Sequence, residues 1–209
     1  MSCSIGELLG IAIAGGIAFL VNKSLGEPQD LISKLLVLGS MMVAGFLEGS
    51  ILGFFQWNVL KDKFTKLPRK EWLFYTILIA VLGWILGVLP SLFFALQEES
   101  DATIEPSVFE NPWIFASLSV GSGLVLGALF GLFQWFSLRK YAKKASRWII
   151  ANALGWGLGL GWIYLVASLP QADSPIYLYI SVGMLGGILA GLSVGAVTGL
   201  FQITMNRKD

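Results

Sequence analysis

Polar residues fall at two kinds of place along this chain. They cluster in short stretches that separate apolar runs, and they recur singly at fixed positions inside those runs. The runs predict helices near residues 5–22, 33–60, 72–97, 113–138, 148–169 and 176–205. A hydrocarbon core of about 30 Å takes roughly 20 residues of helix, so each run is long enough to span it. The expected fold is therefore an all-α integral membrane protein, a single domain over 1–209 built as a six-transmembrane-helix bundle. "AIAG" at 12–15 imitates a cleavage site, but Glu7 sits where a signal peptide needs basic residues, and the preceding apolar stretch is too short. The first run is read as a span.

Inside the runs one arrangement occurs three times: "GSILGFFQW", "GALFGLFQW" and "GAVTGLFQI". Aligned on Gln56, Gln134 and Gln202, glycine recurs three, seven and eleven residues earlier. These are Gly45, Gly49 and Gly53; Gly123, Gly127 and Gly131; and Gly191, Gly195 and Gly199. At about 100° per residue, steps of four drift only about 40°, so each set forms one groove, and the glutamine returns to the same face. Lipid gives helices no hydrophobic reason to pair; a glycine groove instead admits a second backbone, and a glutamine at its end can hydrogen-bond across helices. The glycines are thus expected to pack helices and the glutamines to clasp their ends. A cation, Lys61, Arg139 or Arg207, follows each glutamine by five residues.

The alternate spans match as well. "LGWILG" at 82–87 parallels "LGWGLG" at 154–159, with Gly83 and Gly87 in register with Gly155 and Gly159, and "LGIAIA" at 9–14 is a weaker counterpart. A two-helix repeat keeps its direction across the membrane, so the repeats are expected to be parallel ones about the membrane normal. Closed by the first span, they would make a pseudo-threefold bundle.

Charge orients this picture. Twelve of the fourteen Lys and Arg residues lie in the 61–70 link, the 139–147 link and the C-terminal tail, all on one side of six spans. "GEPQD", "QEESDATIEPSVFENP" and "QADSP" on the other side are acidic or neutral. Short cationic loops stay in the cytoplasm, so both termini are expected there. Trp57, Trp72, Trp135 and Trp148 flank the basic links and Trp113 the opposite face, where amphipathic rings favour the headgroup level. The composition agrees, with 56% hydrophobic and only 13% charged residues. A net charge of +1 gives no bias towards nucleic acid.

The pattern G-x-x-Q-W-x-x-L-[KR], met by Gly53, Gln56, Trp57, Leu60 and Lys61 and again by Gly131, Gln134, Trp135, Leu138 and Arg139, resembles a repeat of uncharacterised bacterial, largely cyanobacterial, polytopic membrane proteins. The third copy keeps Gly199, Gln202 and Arg207 but has Ile203 and Asn206 in place of Trp and Leu. The resemblance implies a cell inner membrane or a cyanobacterial thylakoid membrane, and no established activity.

Candidate chemistry is sparse. Glu48 is the one carboxylate deep in a span, and no Lys or Arg lies at its depth. Such a group must be protonated, hydrated or partnered. It is expected to be neutral and bonded within the bundle, to Asn152 or a backbone carbonyl, and the pair forms the candidate ion or proton site. Gly191, Ser193 and Gly195 spell a nucleophile elbow, but inside a helix and without a histidine base, since the chain has no His. No catalytic set, metal site or cofactor is expected, and Cys3 has no partner for a disulfide.

Two readings follow. One is a non-enzymatic membrane protein that packs against a protein partner or its own copies, as an assembly factor, accessory subunit or scaffold. The other is a small ion or solute transporter or channel with Glu48 in its pathway. Three glutamines converging with Glu48 on a wet cavity would favour transport; a dry centre that consumes the glycine faces would favour packing.

Overall fold

The computed structural model describes residues 2–26, 28, 30–94, 112–170 and 174–208. Its helices are α1 (Ser2–Leu25), α2 (Leu31–Lys63), α3 (Arg69–Phe94), α4 (Pro112–Leu138), α5 (Arg147–Ala167) and α6 (Ile176–Ile203). Five of them, α2 to α6, are long and apolar enough to cross a membrane. Apolar side chains also face outward: Leu31, Ile32, Phe74, Val125, Leu200 and Ile203 expose between 61% and 73% of their surface. A helix that is apolar on its outer face as well as its inner one suits lipid rather than water. The chain is a multi-pass helical bundle by this composition.

Each helix packs against those before and after it in the chain, and α6 returns to α1, so the six close into a ring. Local signals set the helix ends. Gly26, at φ +61°, follows the last residue of α1 in the left-handed conformation that a terminating glycine adopts without a side-chain clash. Asp30 caps α2: its Oδ1 accepts from the Ser33 amide at 2.9 Å, and Ser33 Oγ accepts from the Asp30 amide at 3.2 Å.

The sixth run was expected to continue to 205, but α6 stops at Ile203. Beyond it Asn206–Arg207 forms a two-residue antiparallel pair, β2, with β1 (Ala142–Lys143) of the link between α4 and α5. The chain must leave helical geometry to reach that partner. The expected extension of the third run to 97 and the whole acidic stretch 98–111 lie outside the described residues.

The basic links form a stitched end to the bundle. Lys63 Nζ donates to the carbonyls of Gln202 and Ile203 at 2.7 and 3.2 Å, adding to the Met205 amide's bond to Gln202 at the end of α6. Arg207 donates from Nε to the Lys63 carbonyl at 3.2 Å and from Nη2 to Thr65 Oγ1 at 2.9 Å. Lys208 Nζ donates to the Arg139 carbonyl at 2.6 Å, and Lys140 pairs with Glu71 at 2.6 Å. Several residues that the sequence offers as orientation signals therefore also tie three chain segments together.

Candidate functional site

The glycine faces of two repeats are used inside the molecule. A Cβ added at Gly45 would come 2.8 Å from Val81 Cα, at Gly49 2.7 Å from Ile77 Cα, and at Gly53 3.1 Å from Thr76 Cβ. Those contacts seat α2 on α3. On α4, a Cβ at Gly131 would lie 2.6 Å from Ile149 Cα, while at Gly123 and Gly127 it would meet the carbonyls of Trp156 and Asn152 on α5. Backbone therefore meets backbone along both hairpins. The third set behaves differently. Gly191 is buried and Gly195 half-buried, but a Cβ at Gly199 would meet nothing within 4 Å. The expectation that Gly199 packs a helix is corrected: the end of α6 stands clear of a neighbouring backbone.

The glutamine clasp joins four helices and involves two of the three glutamines. Trp148 Nε1 on α5 donates to Gln134 Oε1 at 2.7 Å. Gln134 Nε2 on α4 donates to Gln56 Oε1 on α2 at 2.7 Å and to Thr76 Oγ1 on α3 at 3.0 Å. Thr76 in turn donates to the Trp72 carbonyl at 2.9 Å. Gln56, Gln134 and Thr76 are all buried. Gln202 takes no part: its backbone carbonyl accepts from Lys63 Nζ and the Met205 amide, and its side chain has no hydrogen bond among the described residues. The threefold clasp is thus corrected to a twofold one. The physical reason is at hand, since α6 leaves its helical path directly after Gln202 to form the strand pair.

The tryptophans near the basic links divide in the same way. Trp57 and Trp135 are half-buried beneath cations, with Lys61 Nζ 5.1 Å from one ring and Arg139 Cζ 4.7 Å from the other. Trp72 and Trp148 instead turn inward, edge to face at 5.8 Å, at the centre of a core with Leu60, Phe64, Leu138 and Met205. The expected headgroup position is corrected for this pair. Trp113 is 80% exposed.

Glu48 lies on α2 two turns before Gln56, about 12 Å along the axis. It is buried and accepts a hydrogen bond through Oε2 from Trp84 Nε1 on α3. Asn152 is not its partner. The Asn152 side chain donates to the Trp148 carbonyl of its own helix at 2.9 Å, leaving its buried Oδ1 without a partner. Glu48 Oε1 takes no hydrogen bond among the described residues. The carboxyl borders a cavity of about 490 Å³ reached by five helices: Gly15 from α1, Met41 from α2, Gly83, Trp84 and Gly87 from α3, Leu126 and Phe130 from α4, and Trp156 and Leu160 from α5. Trp156 stacks on Phe130 at 5.3 Å. Among the described residues the wall is uncharged apart from Glu48, and no glutamine belongs to it.

Room for this carboxyl comes from α1, where a Cβ at Gly10 would stand 3.1 Å from Glu48 Cγ. In the same sense Gly83 faces Leu126 Cδ1 at 3.2 Å and Gly155 faces Val194 Cα at 3.0 Å. Glu48, Leu126 and Val194 each precede a repeat glutamine by eight residues.

Sequence reasoning missed Trp84, Thr76 and Trp148 as polar partners. The available signal was an indole N–H in the middle of an apolar helix, which needs an acceptor when buried. Ser193 lies within the uninterrupted helix α6, without the strand-to-helix turn of a nucleophile elbow. Among the described residues no group of three or more Cys, Asp or Glu side chains is placed to hold a metal ion. No family model, curated protein or solved structure matches this chain.

Proposed function

We propose that this protein is a non-enzymatic membrane carrier that takes a small hydrophobic solute into the cavity beside Glu48. The observation that carries the reading is the cavity itself: about 490 Å³ of partly open space between the helices, bordered by a buried carboxyl one of whose oxygens takes no hydrogen bond among the described residues. A polar group in the interior of a membrane bundle is costly and marks a solute or ion pathway by default. Packing alone does not call for it, since the equivalent places on α4 and α6 hold Leu126 and Val194.

The proposal extends to the architecture. Six spans in parallel two-helix repeats about a pseudo-threefold axis, with both termini cytoplasmic, are supported by the closed ring of helices and the matching contacts of Gly10, Gly83 and Gly155. The basic links meeting at one end support the orientation. The repeat's resemblance supports a bacterial inner or thylakoid membrane. Packing is the second reading: the filled glycine grooves on α2 and α4 and the absence of a glutamine from the described cavity wall favour it, while the carboxyl-bordered cavity, which packing does not call for, favours the carrier.

Photolabelling of the purified protein with a small lipophilic diazirine tests the reading. Adducts are expected on cavity residues such as Met41, Leu126 and Leu160, and Leu126→Trp, which fills the space, should remove them. Adducts confined to outward residues such as Val125 and Leu200 would refute it.

A further inference from the structure

Glu48 has no counter-charge among the described residues. Its hydrogen bond comes from a neutral indole, and every other cavity-lining side chain is uncharged. The neighbouring elements offer nothing to replace one. On α1 the groups at this level are Gly10, Ala14 and Gly15; on α3 they are Ala80, Gly83 and Trp84; on α4, Leu126 and Phe130; on α5, Trp156, Leu160 and Ile163. Asp62 on α2 and Glu71 on α3 lie at the basic end of the bundle, Glu71 paired with Lys140, and Glu7 on α1, three residues before Gly10, has a side chain outside the described residues. A carboxylate in a low-dielectric interior must have its charge met by a proton or by a cation.

The surroundings select among cations. A small hydrated metal ion needs several oxygen ligands, and this wall supplies one carboxyl among alkyl and aromatic groups. The aromatic content is high instead: Trp84, Phe130 and Trp156 all line the space. Aromatic faces attract organic cations through the ring quadrupole, most strongly where water is excluded. A wall with one carboxyl and three aromatic rings therefore matches a hydrophobic body carrying one positive charge.

From this juxtaposition we infer that the cavity's occupant is a lipophilic organic cation, a quaternary ammonium or phosphonium type, which exchanges with the proton on Glu48. This rests on the carrier reading and specifies its solute. In the empty state Oε1 carries the proton and Oε2 accepts from Trp84. When the cation enters, the O–H bond breaks, the proton leaves to solvent, and the carboxylate left behind neutralises the ligand. No covalent bond to the ligand forms, and the net charge of the site is the same before and after. Solute and proton are then mutually exclusive at one carboxyl, which is the requirement for exchanging one against the other.

Titration calorimetry of the full chain in a neutral detergent, using tetraphenylphosphonium in two buffers of different ionisation heat, tests the inference. Release of one proton per cation is expected, with affinity rising about tenfold per pH unit while Glu48 remains protonated. Glu48→Gln should weaken tetraphenylphosphonium at least tenfold yet still bind neutral triphenylphosphine oxide, because its amide oxygen can accept from Trp84 and preserve the wall. Glu7→Gln should bind both probes as the parent does. Leu126→Trp should lose both.

Failure takes distinguishable forms. Binding of the neutral probe with equal or greater affinity than the cation, without proton release, overturns the cation inference and leaves the cavity reading standing. So does loss of cation binding in Glu7→Gln but not in Glu48→Gln. Binding of neither probe by a folded parent protein overturns both.

Discussion

The side-chain amide of Gln134 donates to Gln56 Oε1 at 2.7 Å, joining α4 to α2 across the bundle although neither helix follows the other in the chain. The same amide reaches Thr76 on α3, and its oxygen accepts from Trp148 on α5. A residue expected to clasp one helix end therefore holds two hairpins together.

Gln134→Leu removes three hydrogen bonds and strands the buried Gln56 Oε1 and Trp148 Nε1, while Thr76 keeps its bond to the Trp72 carbonyl. A transmembrane hydrogen bond averages about 0.6 kcal/mol, and each stranded polar group adds to the cost, so a loss of about 2–4 kcal/mol is expected. The same change at Gln202 should move stability by less than about 0.5 kcal/mol, as substitutions away from such networks do. Reversible unfolding in mixed micelles measures both; equal effects would contradict the twofold clasp.

Glycine substitutions should divide along the same line. Gly127→Leu is expected to abolish the folded monomer, because its side chain would occupy the place of the Asn152 backbone. Gly49→Ala, whose Cβ would lie 2.7 Å from Ile77 Cα, should cost about 1–3 kcal/mol through overpacking. Gly199→Ala meets no neighbour and should gain up to about 1 kcal/mol of helix propensity. Yield of monodisperse protein and melting temperature report all three.

The start of α2 should depend on pH through Asp30. The Ser33 amide bonded to its carboxylate holds the Asp30 pKa below its ordinary value. A carboxylate depressed on folding stabilises above its unfolded pKa, and that contribution fades as pH falls through the lowered folded value. Amide exchange at Ser33 and Lys34, corrected for intrinsic rates, should accelerate in acid in the parent. In Asp30→Ala it should be fast throughout, with no acid step.

Arg207→Ala removes the bonds to Lys63 and Thr65 that hold the tail to the first basic link. The strand pair with Ala142–Lys143 is backbone-made and remains. Faster proteolysis of the tail and a small drop in melting temperature are expected, with unchanged resistance of the helical segments. Loss of the helical segments as well would mean that the stitched end governs the whole fold.

Much of this architecture can be read in the chain because membrane spans have one dominant requirement. Apolar length reveals helices α2 to α6, and glycines spaced by four reveal the side on which a backbone can approach. What meets that side is not encoded in the glycines: Gly53 and Gly199 share one repeat position, yet a Cβ at one would lie 3.1 Å from Thr76 Cβ and at the other would meet nothing within 4 Å. Beyond the third copy the chain leaves its helix, buries Met205 in the core and pairs Asn206–Arg207 with Ala142–Lys143. Trp57 and Trp72 both border the first basic link, and only packing decides that one lies under Lys61 while the other faces Trp148. Glu48 stands out in the sequence as a lone deep carboxylate. Its partner does not, because Trp84 reaches it from a different helix.

The central claim is that a cavity between the helices reaches Glu48. Treating native membranes with dicyclohexylcarbodiimide, a lipophilic reagent that modifies protonated carboxyl groups, in mildly acidic buffer and locating adducts by mass spectrometry tests it most directly. An adduct at Glu48, suppressed by Leu126→Trp, is the expected result; an unmodified Glu48 alongside labelled carboxylates elsewhere in the chain would contradict the account.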